Sequence, residues 1–339
     1  MTKPSPKNYL ITGAAGFIGS HFAIKVCALG NKAVVLDSLT YASNLENLAK
    51  IKTLPLFKFV EGNICNSQLV SQILAEESID FVVNFAAESH VDNSIKAPET
   101  FIQTNIVGTF NLLNCALGYW KKLDEQKKAQ FRFLHVSTDE VYGSLEKDDP
   151  KFNEENPYRP NSPYSASKAA SDHLVRAWVE TYGLPAIVTN CSNNFGPHQH
   201  QEKLIPTIVA SALAEKIIPI YGNGQNIRDW IFVGDHADGI YSALHQGKVG
   251  QTYCFGGNAE KTNIEIAHKI CEILDEINPK PSGESYASQI KFVQDRLGHD
   301  KRYAINNAKV ERELNFRVSK DFDERLKETV SWFVEKFTK

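Results

Sequence analysis

The 339-residue sequence predicts an α/β protein, a doubly wound parallel sheet accompanied by a smaller mixed α/β domain. Three observations carry that expectation. Short apolar runs of strand length alternate with helix-period segments through the first half of the chain. The first run ends in a glycine-rich turn, and the second ends in a carboxylate. Strands that alternate with helices run parallel, because each crossover returns the chain to the same edge of the sheet.

Tyr9-Leu10-Ile11-Thr12 reads as the first strand, followed by Gly13-Ala14-Ala15-Gly16-Phe17-Ile18-Gly19 and a helical segment through Leu29. Glycines leave backbone N–H groups uncovered and a helix N-terminus adds partial positive charge, so a nucleotide diphosphate can approach such a turn. The spacing is GxxGxxG rather than GxGxxG, and a turn that is merely tight gives the same pattern. The second strand, Ala33-Val34-Val35-Leu36, runs into Asp37, near the distance expected for a carboxylate that accepts hydrogen bonds from an adenosine ribose. Asp37 would repel a 2′-phosphate, which favours NAD over NADP. Phe57-Lys58-Phe59-Val60 and Phe81-Val82-Val83-Asn84-Phe85 read as the third and fourth strands, with helices near 66–77 and 98–120. Residues 131–137 and Ala186-Ile187-Val188-Thr189 read as the fifth and sixth.

The fifth strand ends in Ser137-Thr138-Asp139-Glu140, a hydroxyl pair and two adjacent carboxylates where a parallel strand meets its loop. Taken alone, the carboxylates read first as solvated loop charges. Ser162-Pro163 then reads as a helix N-cap and first-turn proline. Tyr164 and Lys168 follow on one face of that helix, four residues apart. An ammonium near a phenol favours the phenolate, so Lys168 is expected to lower the Tyr164 pKa toward working pH.

Beyond Asn193-Asn194-Phe195-Gly196-Pro197 the strict alternation loosens. A helix from Ile205, short strands at Ile217–Ile220 and Ile227–Phe232, and helices near 235–246, 262–277 and 321–337 read as the smaller domain. The expected division is an NAD-binding unit over 1–190, to which 227–250 returns, and a ligand-binding unit that takes up most of 191–339. Helices 101–120 and 164–179 are too apolar for one buried face, which predicts a symmetric homodimer.

Bulk composition removes several classes. Net charge is −3, with 37 basic and 40 acidic residues scattered along the chain, so no footprint for nucleic acid or a membrane surface is visible. Six cysteines lie far apart without a CxxC pair, which argues against zinc and against a disulfide framework and fits a reducing cytoplasm. No apolar run has signal-peptide or membrane-spanning length.

In order along nearly the whole chain, the sequence resembles the extended short-chain dehydrogenase/reductases, in their dTDP-glucose 4,6-dehydratase branch. The resemblance rests on Thr12-Gly-Ala-Ala-Gly-Phe-Ile-Gly-Ser20, Asp37-Ser-Leu-Thr-Tyr-Ala42, Phe85-Ala-Ala-Glu-Ser-His-Val-Asp92, Ser137-Thr-Asp-Glu-Val-Tyr-Gly143 and Tyr164-Ser-Ala-Ser-Lys168. Farther on come Thr189-Asn-Cys-Ser-Asn-Asn194, Glu202-Lys-Leu-Ile-Pro206, Arg228-Asp-Trp230 and Gly298-His-Asp-Lys-Arg-Tyr303. Tyr-x-x-x-Lys marks the superfamily, whereas Thr-Asp-Glu is more specific, since related epimerases and decarboxylases usually lack both carboxylates. Asn63, Asn93, Gly234 and Leu297 depart from the family's usual Asp, Arg, acid and Pro.

The resemblance implies a Rossmann fold, bound NAD and dTDP-glucose as substrate. It implies that Thr138, Tyr164 and Lys168 serve oxidation at C4, that Glu140 is the base at C5 and that Asp139 is the acid at C6. Neighbouring carboxylates with opposite tasks need pKa values pushed apart, so Asp139 should be the protonated one. Cofactor contacts carried over are Gly13, Gly16, Phe17, Ile18, Gly19, Asp37, Ser38, Leu39, Thr40, Asn63, Ile64, Phe85, Ala86, Ala87, Ser89, Thr104, Tyr164, Lys168 and Asn194. Substrate contacts carried over are Ser89, Thr138, Asn193, Lys203, Leu204, Pro219, Tyr221, Arg228, Asn263, Asp295, Arg296 and His299. Among these, Arg228 is assigned as the diphosphate clamp, because guanidinium binds phosphate oxygens in bidentate fashion. His90 is expected to be a satisfied structural histidine, and no metal is expected. A sugar-nucleotide 4-epimerase or decarboxylase, a UDP-glucose dehydratase, and a non-catalytic NAD-binding protein remain as alternatives.

Overall fold

The computed structural model describes residues 6–319 and 321–338. Strands β1 (Asn8–Thr12), β2 (Lys32–Asp37), β3 (Phe57–Glu61), β4 (Phe81–Asn84), β5 (Arg132–Thr138) and β6 (Ala186–Cys191) come first. They are followed by β7 (Asn193–Phe195), β8 (Ile218–Tyr221), β9 (Ile227–Phe232), β10 (Thr252–Phe255), β11 (Glu260–Thr262) and β12 (Ile290–Val293). Seven of them form one parallel sheet in the order β10-β6-β5-β4-β1-β2-β3. The order reverses at β1, so a crevice opens at the carboxyl ends of β1 and β4.

The pleat explains how each strand serves two layers. Tyr9, Ile11, Ala33, Val35, Phe81, Val83, Leu134, Val136 and Ile187 pack on one face, against helices Phe17–Ala28 and Val233–Gln246 through Phe22 and Ile240. Their neighbours Leu10, Val34, Leu36, Val82, Phe133, Ala186 and Val188 pack on the other, against helices Ser67–Glu76, Thr109–Lys121 and Pro163–Tyr182. Both faces are covered, which is why these strands are apolar throughout.

Three features differ from the sequence reading. A seventh strand, β10, joins the large sheet beside β6. Residues 227–232 pair with β7 and β11 in a separate three-stranded sheet, while the helix Val233–Gln246 packs on the large one. The expected helix over 98–120 is interrupted: Pro98–Phe101 leads into a π-helical turn, Ile102–Gly108, before Thr109–Lys121. That wide turn buries Asn105, whose amide donates to the Glu88 carbonyl at 3.0 Å and to Ser167 Oγ at 2.8 Å and accepts from Glu88 N–H at 2.9 Å. Extra residues in a turn leave the apolar period intact and therefore leave no mark in it.

The remaining core joins helices Leu204–Leu213, Asn263–Ile277 and Phe322–Thr338 around Ile218, Ile220 and Trp230. The strand pair β8 and β12 lies beside it. Among the described residues, no helix is long and apolar enough to cross a membrane.

Candidate active site

A cavity of about 670 Å³ lies along the carboxyl edge of the large sheet. Its floor is the glycine turn. Gly13 has φ +70°, and a Cβ there would sit 2.7 Å from the Ala86 backbone, so the turn and the loop after β4 touch at van der Waals limits. Gly16 precedes the helix Phe17–Ala28 with no side-chain cap, leaving its first N–H groups free at the cavity wall. Asp37 holds this region together: its carboxylate accepts Ala15 N–H at 2.9 Å, Leu39 N–H at 2.9 Å and Ser43 Oγ–H at 2.8 Å. A carboxylate offers about four lone-pair sites, so one remains for a ribose hydroxyl. Uncapped N–H groups beside a glycine cradle and a carboxylate at the next strand fit a dinucleotide. Ser38, Thr40, Asn63, Ile64, Phe85, Ala87, Thr104 and Asn194 line the same cavity.

The reactive groups gather where β5 ends. Thr138 caps a short 3₁₀ turn, Asp139–Tyr142, accepting Glu140 N–H at 3.3 Å. Gly143 closes that turn at φ +92°, where a Cβ would lie 2.5 Å from the Arg159 carbonyl. Across the cavity, Ser162 and Ser165 form a reciprocal cap that starts the helix Pro163–Tyr182. This cap sets the rotation that brings Tyr164 and Lys168 to the cavity with Thr138, Asp139 and Glu140.

The two carboxylates occupy different environments. Asp139 is 1% exposed and its Oδ2 has no hydrogen-bond partner, and burial together with the Glu140 charge holds it well above the usual carboxylate range. Burial also raises Glu140, but Lys203, Arg228 and Arg296 pull back toward the ionised form. Both acids are pushed toward the neutral form, Asp139 the further of the two.

Tyr164 departs from expectation. Burial first, then the Glu140 charge, push its phenol well above the usual tyrosine range, with the Thr138 hydroxyl opposing them. The Lys168 ammonium donates to the Val136 carbonyl at 2.8 Å, within the sheet, and burial holds its own pKa below the ordinary lysine value.

Ser89, Asn193 and Lys203 line the cavity, Lys203 donating to the Ser89 carbonyl at 3.2 Å. Most other expected substrate contacts lie outside it, in a neighbouring cluster. Arg228 stacks 4.4 Å from the Tyr303 ring centre and donates to the carbonyls of Ile227 at 2.8 Å and Asp300 at 3.0 Å. Arg296 pairs with Asp92 at 3.2 Å and covers Tyr221, while His299 and Asp295 share a 2.6 Å hydrogen bond. Arg228 and Arg296 still act on Glu140 through their charge, so this cluster borders the same acid. Leu204 packs in the smaller core, Pro219 sits in β8 and Asn263 opens a helix. Leu39 also misses the cavity; it has φ +50° and packs on the core beside the glycine turn, since its N–H is tied to Asp37. His90 is not satisfied: its Nδ1 is buried without a hydrogen-bond partner.

Several lining residues were not anticipated: Glu88, Glu99, Gln103, Gln199, His200 and Glu202. Glu88 adjoins Ser89 directly after β4, a position from which it could have been chosen. The others lie on segments whose facing the local pattern does not reveal.

A parallel sheet whose switch point carries a glycine cradle, with Thr138, Tyr164 and Lys168 gathered beside it, defines a nucleotide-binding protein of the short-chain dehydrogenase/reductase class. Residues 10–329 match the family model described as GDP-mannose 4,6 dehydratase. A dTDP-glucose 4,6-dehydratase of Xanthomonas campestris pv. campestris is 51% identical over 326 residues, covering 96% of this chain and 93% of that protein. One of Neisseria gonorrhoeae is 49% identical over 342 residues, covering 100% and 99%. The crystal structure of DesIV, a dTDP-glucose 4,6-dehydratase from Streptomyces venezuelae with NAD bound, superposes with a TM-score of 0.87 at 42% identity over 97% of both chains. The chain belongs to the dTDP-glucose 4,6-dehydratase family.

Proposed function

We propose that this chain is an NAD-dependent lyase that converts dTDP-glucose to dTDP-4-keto-6-deoxyglucose. The C5 hydrogen of a hexose is not acidic, whereas a ketone at C4 stabilises a carbanion at C5 as an enolate. Bound NAD supplies a reversible acceptor for two electrons and a positive charge that favours the Tyr164 phenolate. The residues around it divide the proton transfers. Tyr164 takes the C4 hydroxyl proton, with the Thr138 hydroxyl hydrogen-bonded beside it as a relay. Glu140, its charge compensated by Lys203, Arg228 and Arg296, removes the C5 proton. Asp139, held neutral by burial, gives a proton to the departing C6 hydroxyl. The observation that carries this reading is the contrast between these adjacent carboxylates within one cavity with Tyr164.

Mass spectrometry after mixing with dTDP-glucose tests it, with loss of one water as the expected result. Retained mass with inversion at C4 would mark an epimerase, and unchanged sugar a non-catalytic binder. A panel of thymidine and uridine donors in the same assay reads the base preference.

The cofactor side carries its own prediction. Asp37→Ala removes the acceptor for Ala15, Leu39 and Ser43 and the remaining site for a ribose hydroxyl. NAD affinity should fall by about tenfold or more, at ~1.4 kcal/mol per factor of ten, as read by calorimetry. An unchanged affinity would contradict the assignment.

The division into an NAD-binding unit, 1–190 joined by the helix Val233–Gln246, and a sugar-nucleotide-binding unit over most of 191–339 belongs to the same proposal, as do a cytoplasmic location and a homodimer. Exposed Ile102, Val107 and Phe110 support the dimer, since Ile102 is 51% and Phe110 45% exposed on the helix that also packs on the sheet. Sedimentation should give twice the chain mass at micromolar concentration; a monomer would remove this element.

A further inference from the structure

Beneath the cavity floor lies a buried polar chain that the proposed proton transfers do not use. Thr12 Oγ accepts Ala86 N–H at 3.3 Å and donates to Asn84 Oδ1 at 2.6 Å. This aims the Asn84 amide N–H at His135 Nδ1, 3.1 Å away. Nδ1 therefore accepts, and the ring proton belongs on Nε2. Nε2 lies 3.5 Å from Asp172 Oδ1 and 3.5 Å from Lys168 Nζ. Asp172 Oδ1 has no closer partner, whereas its Oδ2 accepts from Ser137 Oγ at 2.8 Å, Tyr158 OH at 3.0 Å and Asn190 Nδ2 at 3.2 Å. His135, Lys168 and Asp172 are at most 4% exposed.

We infer that Asp172 is a positioning residue for the dehydration: a buried anion, steadied by three donors and facing His135 Nε2–H, that keeps the neighbouring Lys168 ammonium charged at the floor of the site. The inference rests on the dehydratase reading. Asp172 and Lys168 lie one helical turn apart on the same helix, so the anion travels with the cation it serves. A lone ammonium at this depth would shed its proton, and Asp172 is the largest influence that opposes this loss. Three donated hydrogen bonds and the Lys168 charge keep Asp172 at about 6 despite burial, so it is ionised at neutral pH. The other titratable groups facing the pair are His135, neutral because burial and Lys168 hold it well below its ordinary value, Tyr158, and Cys191 beside Lys168.

Asp172→Asn tests this, because the amide oxygen can still accept from Ser137, Tyr158 and Asn190 while the charge is gone. Lys168 should then lose its proton at lower pH, so in an Asp139→Asn background, where Asp139 no longer titrates, the alkaline limb of C4 oxidation, read as reduced NAD formed, should move down by about one pH unit or more. KM for dTDP-glucose should stay within about twofold, since Asp172 does not line the cavity. An alkaline limb that stays in place, whatever the loss of kcat, overturns the proposal. Should that variant fail to fold, Asp172→Ser, which removes the charge and leaves a smaller side chain, is read on the same alkaline limb, and a limb that stays in place again overturns the proposal. Water loss by the unaltered enzyme is the control that separates failure here from failure of the dehydratase reading.

Discussion

Replacing Glu140 by glutamine is expected to abolish solvent deuterium exchange at C5 and to lower kcat for dehydration by about 10²–10⁴-fold, the usual range for losing a positioned general base. The amide keeps the size of the side chain but cannot accept the C5 proton. Oxidation at C4 should persist in part, because Thr138, Tyr164 and Lys168 are untouched. The pH profile provides a second check. Burial raises the Glu140 pKa, so activity should disappear as pH falls through that raised value, where the base becomes protonated. A Glu140→Gln protein that exchanges C5 at the unaltered rate would end the assignment.

Asp139→Asn is expected to produce the complementary phenotype. An amide at this position can donate a hydrogen bond but cannot release a proton, so water should not leave C6 and kcat should again fall by about 10²–10⁴-fold. Exchange at C5 should survive, since Glu140 still removes and returns that hydrogen. Asp139 lies well above the usual carboxylate range, so its protonated form is the resting one, and activity should decline as pH rises through its raised pKa. Asparagine matches the protonated carboxyl in shape and leaves a polar atom at the same partnerless position as Oδ2, so melting temperature should hold. Loss of activity together with loss of fold in Asp139→Asn would count against an acid role.

The opposed behaviour of adjacent side chains shows what local reading can and cannot reach. That Asp139 and Glu140 stand where β5 ends was legible, because an apolar run followed by charges marks a strand meeting its loop. Which of them is neutral depends on Lys203, Arg228 and Arg296, which lie 63, 88 and 156 positions beyond Glu140 in the numbering. The Tyr164–Lys168 pair was legible from helical spacing, yet its chemistry was not. The ammonium faces Val136 within the sheet, and no pattern within the helix records that direction. The substrate residues show the same limit. Tyr221, Arg228, Asp295, Arg296 and His299 do gather, but they gather around one another and Asp92, beside the cavity rather than on its wall.

The sequence by itself determined the parallel sheet, its glycine turn, the cap of the helix that carries Tyr164 and Lys168 and the residues able to do acid, base and redox chemistry. These depend on periodicity, on backbone freedom and on side-chain type, all of which are local properties. Tertiary structure alone decided the seventh strand, the π-helical turn that buries Asn105, the protonation of Asp139 against Glu140 and the partner of Lys168. Each of these is settled by burial and by charges from distant parts of the chain, and electrostatic energy in a desolvated cavity is set by distance in space, not by separation along the sequence.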